Sequence, residues 1–249
     1  MHRLLDAHCH LHEYSDERIA SLQQLGILII AVSDDYSSSL RTLEISQRFD
    51  FVIPALGLHP WEVTADSIED AKKIVDLIKS NRDLVKVVGE VGLDTKFRPH
   101  TIMFQEQVFL EFLEVCRELQ LCMNIHSVNT WHRVLELLYR NDIPCAIFHW
   151  YTGPIDLVKK IHDHGYFISI NPAVKIQEKH RKIVESAPLE MILLESDAPY
   201  KYRGLELEPR MIFSTIEVIA EVKGLKQEEV AEQLIKNSKR FLESCHINL

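Results

Sequence analysis

The sequence predicts an α/β protein folded as a (β/α)8 TIM barrel. The barrel can be distorted, and extra helices follow it at the C-terminal end. Along the 249 residues, short apolar runs rich in β-branched residues alternate with amphipathic, charged segments. Apolar strands separated by helices are typical of a parallel sheet covered by crossover helices. Eight such units share the 249 residues at about 31 residues each, which is the scale of this barrel.

The elements follow one another in a regular order along the chain. The strands are predicted at residues 3–9, 27–33, 51–59, 84–92, 122–127, 145–150, 166–171 and 191–197. The clearest helices between them, with apolar residues at spacings of three and four, are 66–81, 100–120 and 130–141. Two more helices, at about 209–222 and 226–243, follow the last strand. No linker rich in Pro, Gly or Ser divides the sequence, so we expect residues 1–249 to form one domain.

Composition and charge narrow the class of protein. With 46% hydrophobic residues and a formal net charge of −9, the chain lacks the basic excess of a protein that coats nucleic acid. The longest apolar stretch, LGILIIAV, is far shorter than a membrane span, and the N-terminus becomes charged too early for a signal peptide. Five scattered cysteines without a CxxC pair favour reduced thiols. We therefore expect a soluble, cytoplasmic protein without a membrane partner, and a monomer is favoured.

Polar residues gather at one end of the predicted strands. At or close behind the carboxyl end of a strand lie His8, His10, His59, Glu90, His126, His149 and Asp197. In a parallel barrel these ends converge on the face that carries catalysis. Within the segment DAHCH (6–10), His8 and His10 share one face, because alternate side chains of a strand point the same way. Two imidazoles on one face suit a metal ion better than a core, where each nitrogen needs a partner.

The candidate ligands indicate a centre of two metal ions. They are His8, His10, Glu90, His126, His149 and Asp197. Imidazoles and carboxylates without a thiolate fit Zn²⁺, Mn²⁺ or Mg²⁺. Six ligands are too many for one tetrahedral catalytic ion, whereas two ions about 3.5–4 Å apart, bridged by one carboxylate, use them all. Glu90 is the expected bridge, because an unpaired carboxylate at the end of an apolar strand would be unstable.

Other residues of the same types receive a structural interpretation. The remaining histidines are interpreted as hydrogen-bonded structural or surface residues: His2, His12, His100, His132, His162, His164, His180 and His246. Cys9 faces away from the mouth of the barrel and is expected to be a packed thiol. Glu195 lies two residues before Asp197 and can share its face, and it is a weaker candidate for contact with the site.

Short motifs in a fixed order extend across nearly the whole chain. They are DAHCHL at the start, GLHP (57–60), GEVGLD (89–94), IHS (125–127), FHWYTG (148–153), ESDAPY (195–200), EPR (208–210) and NSKRF (237–241). In order and spacing they resemble the TatD family of metal-dependent deoxyribonucleases, which are amidohydrolase-like barrels. The resemblance implies that one metal is held by His8, His10, Glu90 and Asp197. It implies that a second is held by Glu90, His126 and His149.

The same resemblance implies an activity and a catalytic set. The activity is metal-assisted hydrolysis of a phosphodiester bond by a 3′→5′ exonuclease acting on single-stranded DNA. The catalytic residues are then Glu90, Asp197 and His59. Asp197 accepts a proton from the attacking water, and His59 orients a phosphate oxygen without being a principal metal ligand.

Basic and aromatic residues alternate on the predicted rim of the site. They are Lys96-Phe97-Arg98, Tyr200-Lys201-Tyr202-Arg203, Trp61, Trp150 and Tyr151. Such a mixture can hold a phosphate backbone and stack the bases of a single strand. The predicted substrate contacts are His59, Arg98, Lys201, Tyr202 and Arg203. Departures from the family pattern at Thr95, Trp150-Tyr151 and Leu207 change this rim and leave the catalytic set intact.

Three other functions stay open. The same barrel can hydrolyse an ester or amide, such as a D-aminoacyl-tRNA, which the family also includes. A phosphatase of the PHP type also begins with HxH, although the later motifs here resemble TatD. A catalytically silent binding subunit is the alternative from another class, and the intact ligand set counts against it. The sequence does not decide the native metal or the choice among DNA, RNA and aminoacyl-tRNA.

Overall fold

Eight parallel strands close into a barrel in the computed structural model, which describes residues 3–247. The strands are β1 (Leu5–Cys9), β2 (Leu28–Val32), β3 (Val52–Leu56), β4 (Val87–Asp94), β5 (Cys122–Val128), β6 (Ala146–Phe148), β7 (Phe167–Ile170) and β8 (Ile192–Leu194). Each strand pairs with its neighbour in the chain, and β8 returns to pair with β1 through Leu194 and Asp6. The predicted TIM barrel is therefore confirmed, and each observed strand lies within two or three residues of its predicted bounds.

Helices separate the strands and extend beyond the last of them. They are α1 (Asp16–Leu22), α2 (Tyr36–Arg48), α3 (Ser67–Ser80), α4 (Ile102–Leu119), α5 (Trp131–Arg140), α6 (Ile155–Asp163), α7 (Glu178–Ser186), α8 (Ile212–Lys223) and α9 (Gln227–Ser244). The predicted C-terminal helices correspond to α8 and α9. A short antiparallel hairpin, β9 (Lys201–Tyr202) and β10 (Leu205–Glu206), was not predicted. No helix within residues 3–247 is both long enough and apolar enough to span a membrane.

Local sequence explains where the helices begin and which face they bury. Helix α2 starts at a capping box, in which the Asp35 carboxylate accepts from the Ser38 amide and the Ser38 hydroxyl accepts from the Asp35 amide. Helix α3 buries Ala71, Ile74 and Ile78, which recur at the spacing of one helix face, against the barrel. The charged residues of these helices face outward, so the sheet is enclosed by an apolar layer.

The strands are buried along their whole length, and polar side chains inside the barrel are therefore informative. All eight residues of β4 are buried, as expected for a parallel strand covered on both faces. Buried charged or amide side chains of the strands and their ends include Asp6, His8, Glu90, Asp94, Asn124, His126, Glu195 and Asp197. Since buried polar groups require partners, these side chains must be bonded to one another or to a ligand.

Two of the cysteines form a disulfide, so the expectation of reduced thiols is wrong for this pair. Cys122 at the start of β5 is joined to Cys245 after α9, across a sequence separation of 123 residues. Cys9, Cys116 and Cys145 are free and buried. The pairing could not be predicted, because only the folded barrel brings positions so far apart into contact. Cys9 is a packed thiol as expected, and its sulfhydryl donates to the Ala198 carbonyl.

Gly92 allows β4 and β5 to approach closely beside the mouth of the barrel. Its φ is +147°, and a Cβ built there would lie 1.9 Å from the carbonyl oxygen of His126. Both the backbone conformation and the lack of space require glycine. The close approach fixes β4 beside β5, and Glu90 of one strand beside His126 of the other.

We expect Gly92→Ala to reduce the free energy of unfolding by about 3–5 kcal/mol, because backbone strain adds to a steric overlap with main chain. Urea denaturation measures the loss. The control is Gly165→Ala, where φ is +75° but the added Cβ meets no atom within 4 Å. That variant should lose only about 1–2 kcal/mol. Equal losses in the two variants would contradict the role assigned to the β4–β5 approach.

Candidate metal centre

The predicted ligands meet around Glu90 at the carboxyl end of the barrel. A cavity of about 420 Å³ opens there. Its lining includes His10, His59, Glu90, His126, His149 and Asp197. His8 is fully buried beneath it and contacts Glu90. The structure therefore brings all six predicted ligands and His59 into one cluster.

One group of donor atoms surrounds the Oε2 atom of Glu90. His8 Nε2 and His10 Nε2 are 3.2 Å apart. Glu90 Oε2 is 3.2 Å from the first and 3.6 Å from the second. Asp197 Oδ1 is 3.5 Å from each of them. A tetrahedral ion with bonds of about 2.0–2.1 Å places its ligand atoms about 3.3 Å apart, so these four residues fit one divalent ion.

A second group of donor atoms surrounds Oε1, the other oxygen of Glu90. This oxygen is 2.7 Å from His126 Nδ1, 2.9 Å from His149 Nε2 and 3.3 Å from His59 Nε2. The donor nitrogens of His126 and His149 are 3.4 Å apart. These spacings are close to the same tetrahedral edge. Glu90 thus presents one oxygen to each group of donors, as a bridging ligand would.

The electrostatics of the cluster keep Glu90 ionised. Burial by itself would raise the pKa of this carboxyl, but the imidazoles of His59, His149 and His8 hold it well below its usual range. Burial likewise opposes charge on His8, yet Glu90 and Asp197 raise the His8 pKa to about 9. Burial and the neighbouring His8 lower the pKa of His149 to about 4. The centre therefore combines a permanent anion with imidazoles of unequal proton affinity, and a cation that binds to His8 must displace its proton.

Polar residues behind the first group of donors orient its imidazoles. Asn124 Oδ1 lies 2.8 Å from His8 Nδ1, and the Asn124 amide donates to the Ala7 carbonyl. Asp34 Oδ1 lies 3.1 Å from His10 Nδ1, and its Oδ2 lies 3.1 Å from His12 Nε2. With these groups beside Nδ1, the Nε2 atoms of the two candidate ligands His8 and His10 are directed at the same point. His12, interpreted as structural from the sequence, is part of this support.

Asp94 orients His126 and also holds the loop that follows β4, at Lys96 and Phe97. Its Oδ2 is 3.0 Å from His126 Nε2 and accepts from the Trp61 indole at 2.7 Å. Its Oδ1 accepts from the backbone amides of Lys96 and Phe97. Burial would raise the pKa of Asp94, but hydrogen bonds from His126 and Trp61 lower it to about 2. One carboxylate thus connects His126, a candidate metal ligand, to an aromatic side chain of the cavity.

Glu195 has the corresponding position behind His149. It is fully buried, and its Oε2 lies 3.8 Å from His149 Nδ1 and accepts from the Ser169 hydroxyl at 2.5 Å. Its Oε1 accepts from the Trp150 backbone amide at 2.8 Å. Burial raises the pKa of Glu195 to about 8. The Glu195 side chain lies behind His149 and does not line the cavity formed by the described residues.

Three supporting residues were missed in the sequence: Asp34, Asp94 and Asn124. A signal for two of them was present. Asn124 lies two residues before His126 and so shares its face of the strand, and Asp94 ends the same strand as Glu90. A ligand histidine needs an acceptor for its second nitrogen, which makes such same-face residues candidates. Asp34 follows β2, and only the fold brings it to His10.

The predicted substrate contacts occupy two kinds of position. Tyr202 lines the cavity together with Lys96, Trp61 and Phe97, as does His59. Arg98 lies over the Trp61 ring, Lys201 pairs with Glu206, and Arg203 lies over the Tyr202 ring. In the part of the chain that is described, these three cations flank the cavity without lining it. Of the predicted substrate contacts, His59 and Tyr202 are therefore the ones that line the cavity.

Imidazoles and carboxylates that converge at the strand ends of a parallel barrel are the arrangement of a metal-dependent hydrolase. A family model described as TatD related DNase matches residues 5–243. The chain belongs to this family.

Relatives and solved structures agree with that assignment. The uncharacterized metal-dependent hydrolase MJ1582 of Methanocaldococcus jannaschii is 31% identical over an alignment of 246 residues that covers 96% of this chain and 96% of its own length. Deoxyribonuclease TATDN3 of Homo sapiens is 27% identical, covering 94% of this chain and 93% of its own length. The crystal structure of YJJV, a TatD homolog from Escherichia coli, superposes with a TM-score of 0.87 at 25% identity, covering 96% of this chain and 98% of that one.

We expect Asn124→Ala to lower divalent metal affinity about 10- to 100-fold, because His8 loses the partner that orients it. Isothermal titration calorimetry of the metal-free variant with Zn²⁺ or Mn²⁺ measures the change in affinity. Asn237 provides a matched control, since it is equally buried but donates to the Leu189 and Ile192 carbonyls at the opposite end of β8. Asn237→Ala should lower stability and leave metal affinity unchanged. Unchanged affinity in Asn124→Ala would remove this residue from the centre.

Proposed function

We propose that this hydrolase cleaves phosphodiester bonds of DNA, as a 3′→5′ exonuclease on single strands, with two divalent ions of zinc, manganese or magnesium. The observation that carries the proposal is the position of Glu90. Its two oxygens face separate groups of donors at 2.7 to 3.6 Å. A carboxylate placed in this way is the bridge that a two-ion centre requires.

The first ion would be held by His8, His10, Glu90 and Asp197. The second would be held by Glu90, His126 and His149. A pair of divalent ions lowers the pKa of the attacking water and neutralises charge on the phosphoryl group in the transition state. Asn124, Asp34 and Asp94 lie behind His8, His10 and His126, so little rearrangement of these imidazoles is needed when a cation and substrate bind.

The protein residues then position the reactants and move the proton. Asp197 has one oxygen directed at His8 and His10, and its second oxygen is available to accept the proton of the attacking water. The water oxygen bonds to phosphorus as the bond to the leaving sugar oxygen breaks, and that oxygen takes up a proton. His59 lies beside Glu90 on the cavity wall, where its imidazole can orient a non-bridging phosphate oxygen.

Aromatic side chains on two sides of the cavity support a nucleic-acid substrate. Trp61 and Phe97 lie on one side, and Trp150 and Tyr202 on another. Stacking on such surfaces needs bases that are not paired in a duplex, which favours a single strand. The names of relatives, including the human deoxyribonuclease TATDN3, agree with DNA as substrate.

Glu90→Ala should lose both metal ions together, because it removes the group shared by the two donor sets. Elemental analysis of the purified protein measures metal content. His59→Ala is the control, and it should keep both ions while losing activity, since it is assigned to the phosphate. Full metal occupancy in Glu90→Ala would refute the bridging role. Loss of one ion in His59→Ala would make His59 a ligand.

Substrate class is tested with labelled single-stranded DNA, aminoacyl-tRNA esters and simple phosphoesters. The metal-loaded protein should shorten the DNA from its 3′ end, a chelator should abolish cleavage, and added metal should restore it. Cleavage of the aminoacyl ester alone would overturn the nuclease proposal in favour of a deacylase. Failure to cleave any of them with any of the three metals would favour a silent binding subunit.

A further inference from the structure

Trp150 forms a rigid aromatic surface directly beside the metal centre. It follows His149 in the chain and lines the same cavity. Its backbone amide donates to buried Glu195, and its indole donates to Gln177 Oε1 at 2.8 Å. Its φ of +40° lies in the left-handed region, which is unfavourable for a bulky residue and persists only when surrounding contacts hold it. The indole is therefore fixed in one orientation.

His180 of α7 supports the indole from behind. The two rings are stacked, with centroids 6.5 Å apart and an interplanar angle of 26°. His180 is fully buried, and neither ring nitrogen has a hydrogen-bond partner among the described residues. It acts as a flat backing for the indole. This explains why a histidine that the sequence placed outside the centre is nevertheless buried close to it.

Two tyrosines from the segment after β8 form a wall at right angles to the indole. The rings of Tyr200 and Tyr202 lie 5.9 Å and 5.1 Å from Trp150, at interplanar angles of 80° and 71°. Gln177 Nε2 donates to the Tyr202 hydroxyl at 3.1 Å, which connects this wall to the indole. We call Trp150, Gln177, Tyr200 and Tyr202 the Trp150 slot; all four line the cavity.

We propose that the Trp150 slot binds the base of the 3′-terminal nucleotide, next to the phosphate that is cleaved. This inference rests on the proposed function, since it names the part of the substrate that the slot holds. The members of the slot are uncharged, so the slot suits a planar heterocycle better than a phosphate. Its flat surface adjoins His149, which places a stacked base within one nucleotide of the metal centre.

The opposite side of the cavity suits the rest of the strand. Trp61 and Phe97 lie there in edge contact, with Lys96 over the Phe97 ring and Arg98 over the Trp61 ring. Neither cation has an ion-pair partner among residues 3–247, so both are available to phosphates. Aromatic rings interleaved with free cations fit a continuing chain of nucleotides, whereas the uncharged slot fits its end.

The slot should accept any of the four bases. The Gln177 amide is held by Trp150 and Tyr202, and its remaining N–H and oxygen lone pair offer a donor and an acceptor alike to any base. Base recognition therefore comes mainly from stacking, which every base can provide. This arrangement suits an exonuclease that must remove successive nucleotides of different identity.

Fluorescence of 2-aminopurine tests the contact independently of hydrolysis. The base is placed at the 3′ terminus of a short strand whose terminal linkage is a phosphorothioate, and binding to the metal-loaded protein is followed by quenching. Wild type should quench strongly, and Trp150→Ala should lose the quenching and bind about 5- to 150-fold more weakly. Trp150→Phe should retain it. Quenching only when the probe is at the 5′ end, or equal quenching in Trp150→Ala, would overturn the proposal.

Kinetics with an abasic terminus separate stacking from a structural effect. Wild type should cleave a strand that ends in thymidine about 5- to 150-fold better, in kcat/KM, than one ending in a baseless tetrahydrofuran residue. Trp150→Ala should cleave both strands with the kcat/KM that wild type shows on the baseless strand. Tyr139 is an exposed residue of α5, and Tyr139→Ala should behave as wild type on both. Equal losses on both substrates in Trp150→Ala would show a structural role and overturn the slot. Quenching without any cleavage by wild type would support the slot and reject the nuclease activity instead.

Discussion

The buried charge of Glu90 is the constraint on which the rest of the centre depends. This carboxylate is 1% exposed, and a buried anion without compensation is strongly unfavourable. Burial would raise its pKa, but His59, His149 and His8 hold the pKa well below its usual range. These imidazoles come from β1, the end of β6 and the loop after β3, so their attraction to one carboxylate holds separate strand ends together. The carboxylate whose negative charge must be balanced inside the protein is also the group that can bridge two cations.

Compensation by imidazoles creates a further requirement, because a ligand histidine directs only one nitrogen at the centre. Its second nitrogen must be satisfied elsewhere. Asn124 and Asp94 accept from the second nitrogen of His8 and His126, while Asp34 lies 3.1 Å from that of His10 and Glu195 3.8 Å from that of His149. They follow or belong to β2, β4, β5 and β8, which are distributed around the barrel. The orientation of the ligands is therefore a property of the closed barrel as a whole.

Much of this arrangement could be predicted because strand periodicity and chain order are local. The alternation in DAHCH placed His8 and His10 on one face, and parallel strands brought Glu90 to the same mouth. What escaped prediction depends on contacts between distant segments. The Cys122–Cys245 disulfide has no local spacing to reveal it, and Asp34 reaches His10 only through the β1–β2 pairing. The hairpin β9–β10 has strands of two residues each, too short for a periodic pattern.

The two supporting carboxylates Asp94 and Glu195 also fix the walls of the cavity relative to the metal ligands. Asp94 contacts His126 and accepts from the Trp61 indole, while Glu195 lies behind His149 and accepts from the Trp150 amide. One shared carboxylate thus lies between each aromatic wall and a candidate ligand of the second donor set. A base stacked on either wall would be held at a fixed distance from the phosphate, which is the alignment that hydrolysis requires.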